Sequence, residues 1–265
     1  KISILYFGVI LAQQQMLTRI MGIIAVCWAV LVHMGTGAIF GFVEAREAWF
    51  SPIKPLEFLS AALTSGMALL IVVTIATFKL SGRDIKKEIV SSLARMLVVF
   101  IIILFVLIAV DKLTHLYAPA RGATLYMLAG PYSWIFWFLQ IGLVVVIPLA
   151  ILCNPRWRNS IGAIVLASLS VVIGVFFERY YLVIPGAAYP MAFYPGKIEG
   201  VYGVVGHFPL SIAEFGLSIG IFAMLALMFI LGLRYLDTLP PVEAKEPATA
   251  SLEGPAAASE QTSAA

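Results

Sequence analysis

Charge is what this sequence has least of. With 17 Lys and Arg and 14 Asp and Glu among 265 residues, 12% of the chain is charged, about half the share of an ordinary soluble domain, so a water-solvated globule is excluded. Cysteine is nearly absent. Cys27 and Cys153 stand far apart, which provides neither a disulfide framework nor the spacing of a zinc or iron–sulfur site. Histidine is also scarce, and a membrane haem b takes two axial histidines from within its spans. Of His33, His115 and His207, only His33 lies well inside an apolar run, so the sequence predicts no haem here. The net charge of +3 is small and its basic residues sit in short loops, which excludes a nucleic-acid footprint. No Walker A, dinucleotide-binding glycine or zinc-protease motif occurs at a fitting position.

What is abundant is apolar: 62% of residues are hydrophobic and the mean hydropathy is +1.01. The fold class is therefore an all-α polytopic membrane bundle. At about 20 residues per crossing, six spans fall at about 20–42, 58–78, 90–110, 132–153, 160–182 and 211–233. Segment 1–19 reads as the tail of an earlier helix with its loop, because Ile2–Ala12 is too short to cross a bilayer core; the bundle occupies 20–240. Residues 241–265, rich in Ala, Glu, Pro and Ser, lack apolar periodicity and read as a flexible tail. Short connections near Arg19, at 79–89 and at 154–158 are basic, and Arg95 can snorkel to the same side. That side is predicted to be cytoplasmic, with the C-terminus, in the cell membrane. The longer connections 43–57, 111–131 and 183–210 then face outside. Small residues offer helix contacts at Gly35/Gly37, Ser65/Gly66 and Gly216/Gly220, and Pro148 is expected to kink the fourth span.

Ionisable groups at membrane depth are costly and carry the functional candidates. His33, within "AVLVHMGTGAIFG", has an intrinsic pKa suited to proton exchange, or it bonds a neighbouring helix as a structural residue. Asp111, at the outer end of the third span, either anchors the interface with Lys112 or begins a proton route with His115. Glu178 and Arg179, in "GVFFERYYLVIPG", point about 100° apart on a helix, so each is expected to pair elsewhere, with Glu214 one partner for Arg179. A structural ion pair tying two helices is the alternative. One buried histidine, a few acids near one surface and aromatic walls suit an amphipathic redox carrier such as a quinone. Here His33 with Glu44 or Glu47 supplies a donor and a proton route, and Trp49, Phe50, Tyr180 and Tyr181 supply walls.

Four stretches, "VHMGTGAIFGFVEAREAWFSPIKPLEFLSAALTSGMALLIVV", "GPYSWIFWFLQIGLVVVIPLAIL", "GVFFERYYLVIPG" and "AEFGLSIGIFAMLALMFILGLRYL", resemble in that order the polysulfide-reductase membrane-anchor (NrfD) family. They are most similar to its ten-helix branch, which includes DsrP, HmcC, HybB and the quinol-oxidising subunits of alternative complex III. The resemblance implies a haem-free membrane subunit of a respiratory redox complex. Such a subunit binds quinone, with menaquinone the first candidate, and holds no iron–sulfur cluster of its own. It exchanges electrons with a periplasmic ferredoxin-like iron–sulfur subunit, with cytochrome c, cytochrome b and heterodisulfide-reductase-like subunits as further candidate partners. Within the family, a sulfate-respiration complex comes first and a molybdoenzyme or hydrogenase anchor second. His33 matches the histidine opening an "H-T-V"-like stretch, although Met34-Gly35 replaces Thr-Val, and Glu178-Arg179 matches an "E-R-[YF]" signature. By the same resemblance this chain holds six of ten helices. Two other classes stay open: a secondary transporter, against which no paired Gly/Pro interruptions are seen, and a membrane anchor or proton-conducting subunit that binds no quinone.

Overall fold

The computed structural model describes residues 2–11, 15–82, 85, 87–118, 121–189 and 211–235, and these are helical throughout apart from their connections, as the composition predicts. The proposed tail 241–265 and most of the connection 183–210 lie outside the described residues. Two units are distinguished, Lys1–Phe208 and Pro209–Ala265. The first holds α1 (Ile2–Leu11), α2 (Gln15–Gly41), α3 (Lys54–Leu80), α4 (Lys87–Tyr117), α5 (Arg121–Ala129), a π-helical segment (Ile135–Val146) continuing into α6 (Ile147–Leu152), and α7 (Ile161–Ala188). The second holds α8 (Ile212–Tyr235). Six helices are long and apolar enough to cross a membrane, which matches the six spans read from hydropathy. Within α8's own first turn, Ser211 and Glu214 form a capping box: the Ser211 N–H donates to Glu214 Oε2 at 3.0 Å and the Glu214 N–H to Ser211 Oγ at 3.2 Å.

Helix α3 packs between α2, α4 and α7, while α7 also lies along the π-helical segment and α6. The core they share is formed by Ala61, Ala68, Ile71, Leu97, Ile101, Leu104, Ala167 and Val171, each at most 1% exposed. Outward-facing side chains are apolar as well, for example Ile102, Val106, Leu166 and Phe176, as expected where the surrounding solvent is hydrocarbon. Backbones approach closely at glycines. A Cβ on Gly37 would lie 2.7 Å from the Lys54 carbonyl oxygen, and one on Gly41 2.5 Å from that of Ser51. The small-residue contact on α2 is thus Gly37/Gly41 rather than Gly35/Gly37, since Gly35 meets nothing within 4 Å.

Pro148 acts differently from a simple kink. The chain before it is wound in the π register, with the Ile147 N–H donating to Gly142 O. In that register the Leu143 carbonyl would accept from residue 148, but proline has no N–H. Ser170 on α7 replaces the missing donor, its hydroxyl lying 2.7 Å from Leu143 O. A defect in one helix is therefore repaired by its neighbour, and the contact ties α7 to the segment beside it.

Several helices run past the spans assigned from hydropathy, and at three of them the extension determines which polar side chains can meet. Helix α3 begins at Lys54 rather than near 58, α4 continues to Tyr117 rather than 110, and α7 continues to Ala188 rather than 182. Ser51, Lys54 and Glu57 consequently belong to the packed bundle. Glu178 lies ten residues, about 15 Å of helix rise, before the end of α7.

Candidate functional site

At the end of the bundle where α3 begins, α4 ends and α7 nears its C-terminus, a polar network is buried. Lys54 reaches two carboxylates at once: its Nζ donates to Glu57 Oε2 at 2.6 Å, one turn on in its own helix, and to Asp111 Oδ2 at 2.9 Å on α4. Ser51 adds a hydroxyl to Asp111 Oδ1 at 2.6 Å, and Lys112 Nζ lies 3.3 Å from Asp111 Oδ2. All of this is out of water, with Asp111 0% and Lys54 2% exposed. An isolated charge in such a place is prohibitive, whereas charges that are paired and hydrogen-bonded are tolerated. Glu57 also sits in the first turn of α3, where the helix dipole favours an acid. Asp111 is thereby the buried centre of an ion cluster, and Lys112, the partner read from the sequence, is a second cation on it.

Glu178 and Arg179 join this cluster from α7. Contrary to the expectation that the two diverge to separate partners, Arg179 Nη1 lies 3.7 Å from Glu178 Oε1. The long arginine side chain folds back and overcomes the angular separation of the two Cβ atoms. Its guanidinium also stacks over the Phe58 ring, 3.7 Å from the centroid, a cation–π contact that holds the charge against an apolar wall. Glu214 is occupied by the capping box of α8. Glu178 is 3% exposed, and neither of its carboxyl oxygens has a hydrogen-bond partner. Gln140 Oε1, from the π-helical segment, is orphaned in the same way.

Those orphaned atoms border one small cavity. Lys54, Glu57, Lys112, Gln140, Glu178 and Arg179 all line it, and it offers about 10 Å³ for the centre of a water molecule, close to what one buried water needs. Three cations (Lys54, Lys112, Arg179) and three carboxylates (Glu57, Asp111, Glu178) surround the site, so its formal charge sums to zero. The outward connection is His115, one turn after Asp111 on α4. Its Nδ1 lies 2.7 Å from Asp111 O and its Nε2 2.7 Å from Phe50 O. A neutral ring has one N–H and satisfies one of these carbonyls, while an imidazolium satisfies both.

The surrounding lid is aromatic and well braced. Trp49 donates from Nε1 to Leu182 O at 2.8 Å, and Arg46 Nη1 donates to Ala187 O at 2.7 Å at the C-terminal end of α7, where carbonyls lack helical partners. A side chain on Gly186 would collide with the Trp49 indole. Tyr181 Oη donates to Met127 O at 2.6 Å, tying α7 to α5. On α5, the Tyr126 phenol is held protonated: burial, then the neighbouring Tyr132 phenol, raises its pKa above the usual value.

His33 and Glu44 stand apart from this cluster. His33 is on the exposed side of α2, where Nδ1 lies 2.8 Å from Ala29 O; a carbonyl only accepts, so Nδ1 carries the proton. Glu44 is exposed in the turn after α2. Of the residues singled out in the sequence, the structure thus brings together Asp111, Lys112, Glu178 and Arg179, and adds Ser51, Lys54, Glu57 and Gln140. The signal available for Lys54 and Glu57 was their spacing of three, which puts them on one face once the helix starts four residues earlier.

Six helices long and apolar enough to cross a membrane, with a buried, charge-balanced cluster inside the first unit, mark a polytopic helical membrane protein. More narrowly, the chain belongs to the family described as Polysulphide reductase, NrfD, whose sequence profile matches residues 2–191. It is 32% identical over 243 residues, 89% of this chain and 62% of the other, to the Hdr-like menaquinol oxidoreductase integral membrane subunit of Archaeoglobus fulgidus. Similarity extends to a selenate reductase subunit of Mesobacillus selenatarsenatis, at 33% over 80% of this chain and 49% of that one. It extends also to a putative dimethyl sulfoxide reductase membrane subunit of Halobacterium salinarum, at 31% over 78% and 51%. The chain spans between 49% and 62% of the length of these relatives.

Proposed function

We propose that this chain is part of the quinone-reactive membrane subunit of a respiratory oxidoreductase, with its buried ion cluster handling protons. Electrons pass between quinone, menaquinone first, and a ferredoxin-like iron–sulfur subunit outside the cytoplasmic membrane, and the C-terminus lies inside. The observation that carries the reading is the Glu178 carboxyl: buried, without a hydrogen bond on either oxygen, and bordering room for one water. Purely structural ion pairs in an apolar bundle satisfy their oxygens. A group left open beside a water-sized space is placed to exchange a proton with it.

The cluster itself does not fit a quinone ring. A space of about 10 Å³ is far below the roughly 300 Å³ at which ligand pockets begin. His33 fits better. With its proton committed on Nδ1 to Ala29 O, a neutral His33 presents Nε2 as an acceptor toward an apolar helix face, suited to receive a hydrogen bond from a quinol hydroxyl. The quinone, when bound, supplies two-electron chemistry with release or uptake of two protons. His33 lies four residues before Gly37, about 6 Å along α2, and Gly37 packs on the backbone of Lys54. Helix α2, which carries His33, thus meets the helix that carries Lys54 at this contact. Because the six charges of the cluster balance, each proton taken up adds one positive charge and responds to charge arriving nearby.

The test is Glu178→Gln and His33→Ala in the purified, intact complex, assayed for quinol-linked turnover and for proton release. Glu178→Gln is expected to lower proton-coupled turnover at least about tenfold. His33→Ala should abolish quinol oxidation while artificial donors still reduce the iron–sulfur partner. Normal turnover in both variants would leave a membrane anchor as the better reading.

A further inference from the structure

At the opposite end of the spans is a second polar site of different character. The first turns of α4, the end of α6 and the link into α7 enclose an open pocket of about 220 Å³. Arg95 and Ser91 line it from one face of α4, and Arg158 and Asn159 from the link, with Leu152 and Val98 on its apolar side. Neither guanidinium has a hydrogen-bond or ion-pair partner among the described residues. Two convergent arginines that no described carboxylate neutralises form, with a hydroxyl and an amide, a receptor for a phosphate oxyanion.

The helix below the pocket indicates what else the ligand carries. Val99, Ile102 and Val106 follow Arg95 at the fourth, seventh and eleventh positions, on the same face of α4, and are 54%, 48% and 51% exposed. They form an apolar track leading from the arginines along the membrane-spanning part of the helix. Trp157, 52% exposed in the link, adds an aromatic at the level where such rings favour the lipid–water boundary. Free phosphate uses the arginines and gains nothing from the track, whereas a phospholipid uses both.

We infer that this pocket binds the headgroup of an anionic phospholipid, its phosphate between Arg95 and Arg158 and an acyl chain along Val99, Ile102 and Val106. The site is separate from the proton cluster and does not depend on quinone binding. It fixes a lipid between α4 and the α6–α7 link, bracing the start of one spanning helix against the neighbouring pair.

Native mass spectrometry of the intact complex in mild detergent tests this, with phosphatidylglycerol, phosphatidylcholine of the same chains, or sodium phosphate added separately. Wild type is expected to retain phosphatidylglycerol in preference to phosphatidylcholine. Affinity should fall about fivefold for each arginine replaced in Arg95→Gln and Arg158→Gln, and remain unchanged in Arg156→Gln, outside the pocket. Should the glutamine variants fail to assemble, Arg95→Lys and Arg158→Lys keep the charge and are expected to keep most of the binding. Equal retention in wild type and the double glutamine variant overturns the assignment, as does an equal loss in Arg156→Gln. Occupancy by inorganic phosphate that phosphatidylglycerol cannot displace overturns it too, leaving a free-anion site.

Discussion

The two ends of the bundle solve opposite problems with the same residue types. At one end Lys54, Lys112 and Arg179 are closed in with Glu57, Asp111 and Glu178 around space for about one water. At the other, Arg95 and Arg158 face an open pocket with no acid lining it. Cations buried among helices must bring their counter-charges with them, because nothing in hydrocarbon will supply one. Cations at the boundary can leave that task to water, ions or lipid headgroups. Enclosure therefore separates two electrostatic solutions in such a chain: the closed end neutralises its own charges, and the open end leaves its charge to something from outside.

The largest effect should come from breaking the closed end at its centre. Lys54→Met leaves Asp111 and Glu57 buried without their shared cation and is expected to cost about 3–5 kcal/mol, read as loss of folded subunit and of complex in denaturant titrations. Adding Asp111→Asn to that variant should recover part of the loss, and no recovery would mean that the pair is not coupled as its 2.9 Å contact implies. Next, Gly37→Val places a side chain against the α3 backbone, 2.7 Å from Lys54 O, with an expected cost of about 1–3 kcal/mol; an unaltered melting temperature would argue against the close α2–α3 approach. Trp49→Phe keeps an aromatic ring but removes the bond to Leu182 O and should cost about 1 kcal/mol, visible as faster amide exchange near the end of α7. The smallest effect belongs to the open end. Arg95→Gln is expected to leave stability in lipid-free detergent unchanged, and a marked loss there would show that its charge is paired after all.

Hydropathy alone located all six spans, since crossing a membrane is a local requirement met by a sum over about 20 neighbours. The same sum misjudged helix ends. It stops where a charge appears, yet Lys54 and Asp111 continue their helices because each compensates the other, and α7 runs on past Leu182 through Pro185. Asp111, Glu178 and Arg179 were legible as candidates because intramembrane charge is rare, but Lys54 and Glu57 were hidden in what read as a loop. The π register before Pro148 was hidden as well, since it depends on a hydroxyl from Ser170 on another helix.

Composition and near neighbours along the chain were enough to set the solvent, the helical class, the basic side of the bundle and the short roster of costly charges. Which of those charges meet is a matter of packing. Lys54 and Asp111 are 57 residues apart, and no local property of either predicts the other. Their contact depends on helix lengths, close packing at Gly37 and Gly41, and the requirement that a charge removed from water find its opposite within the protein.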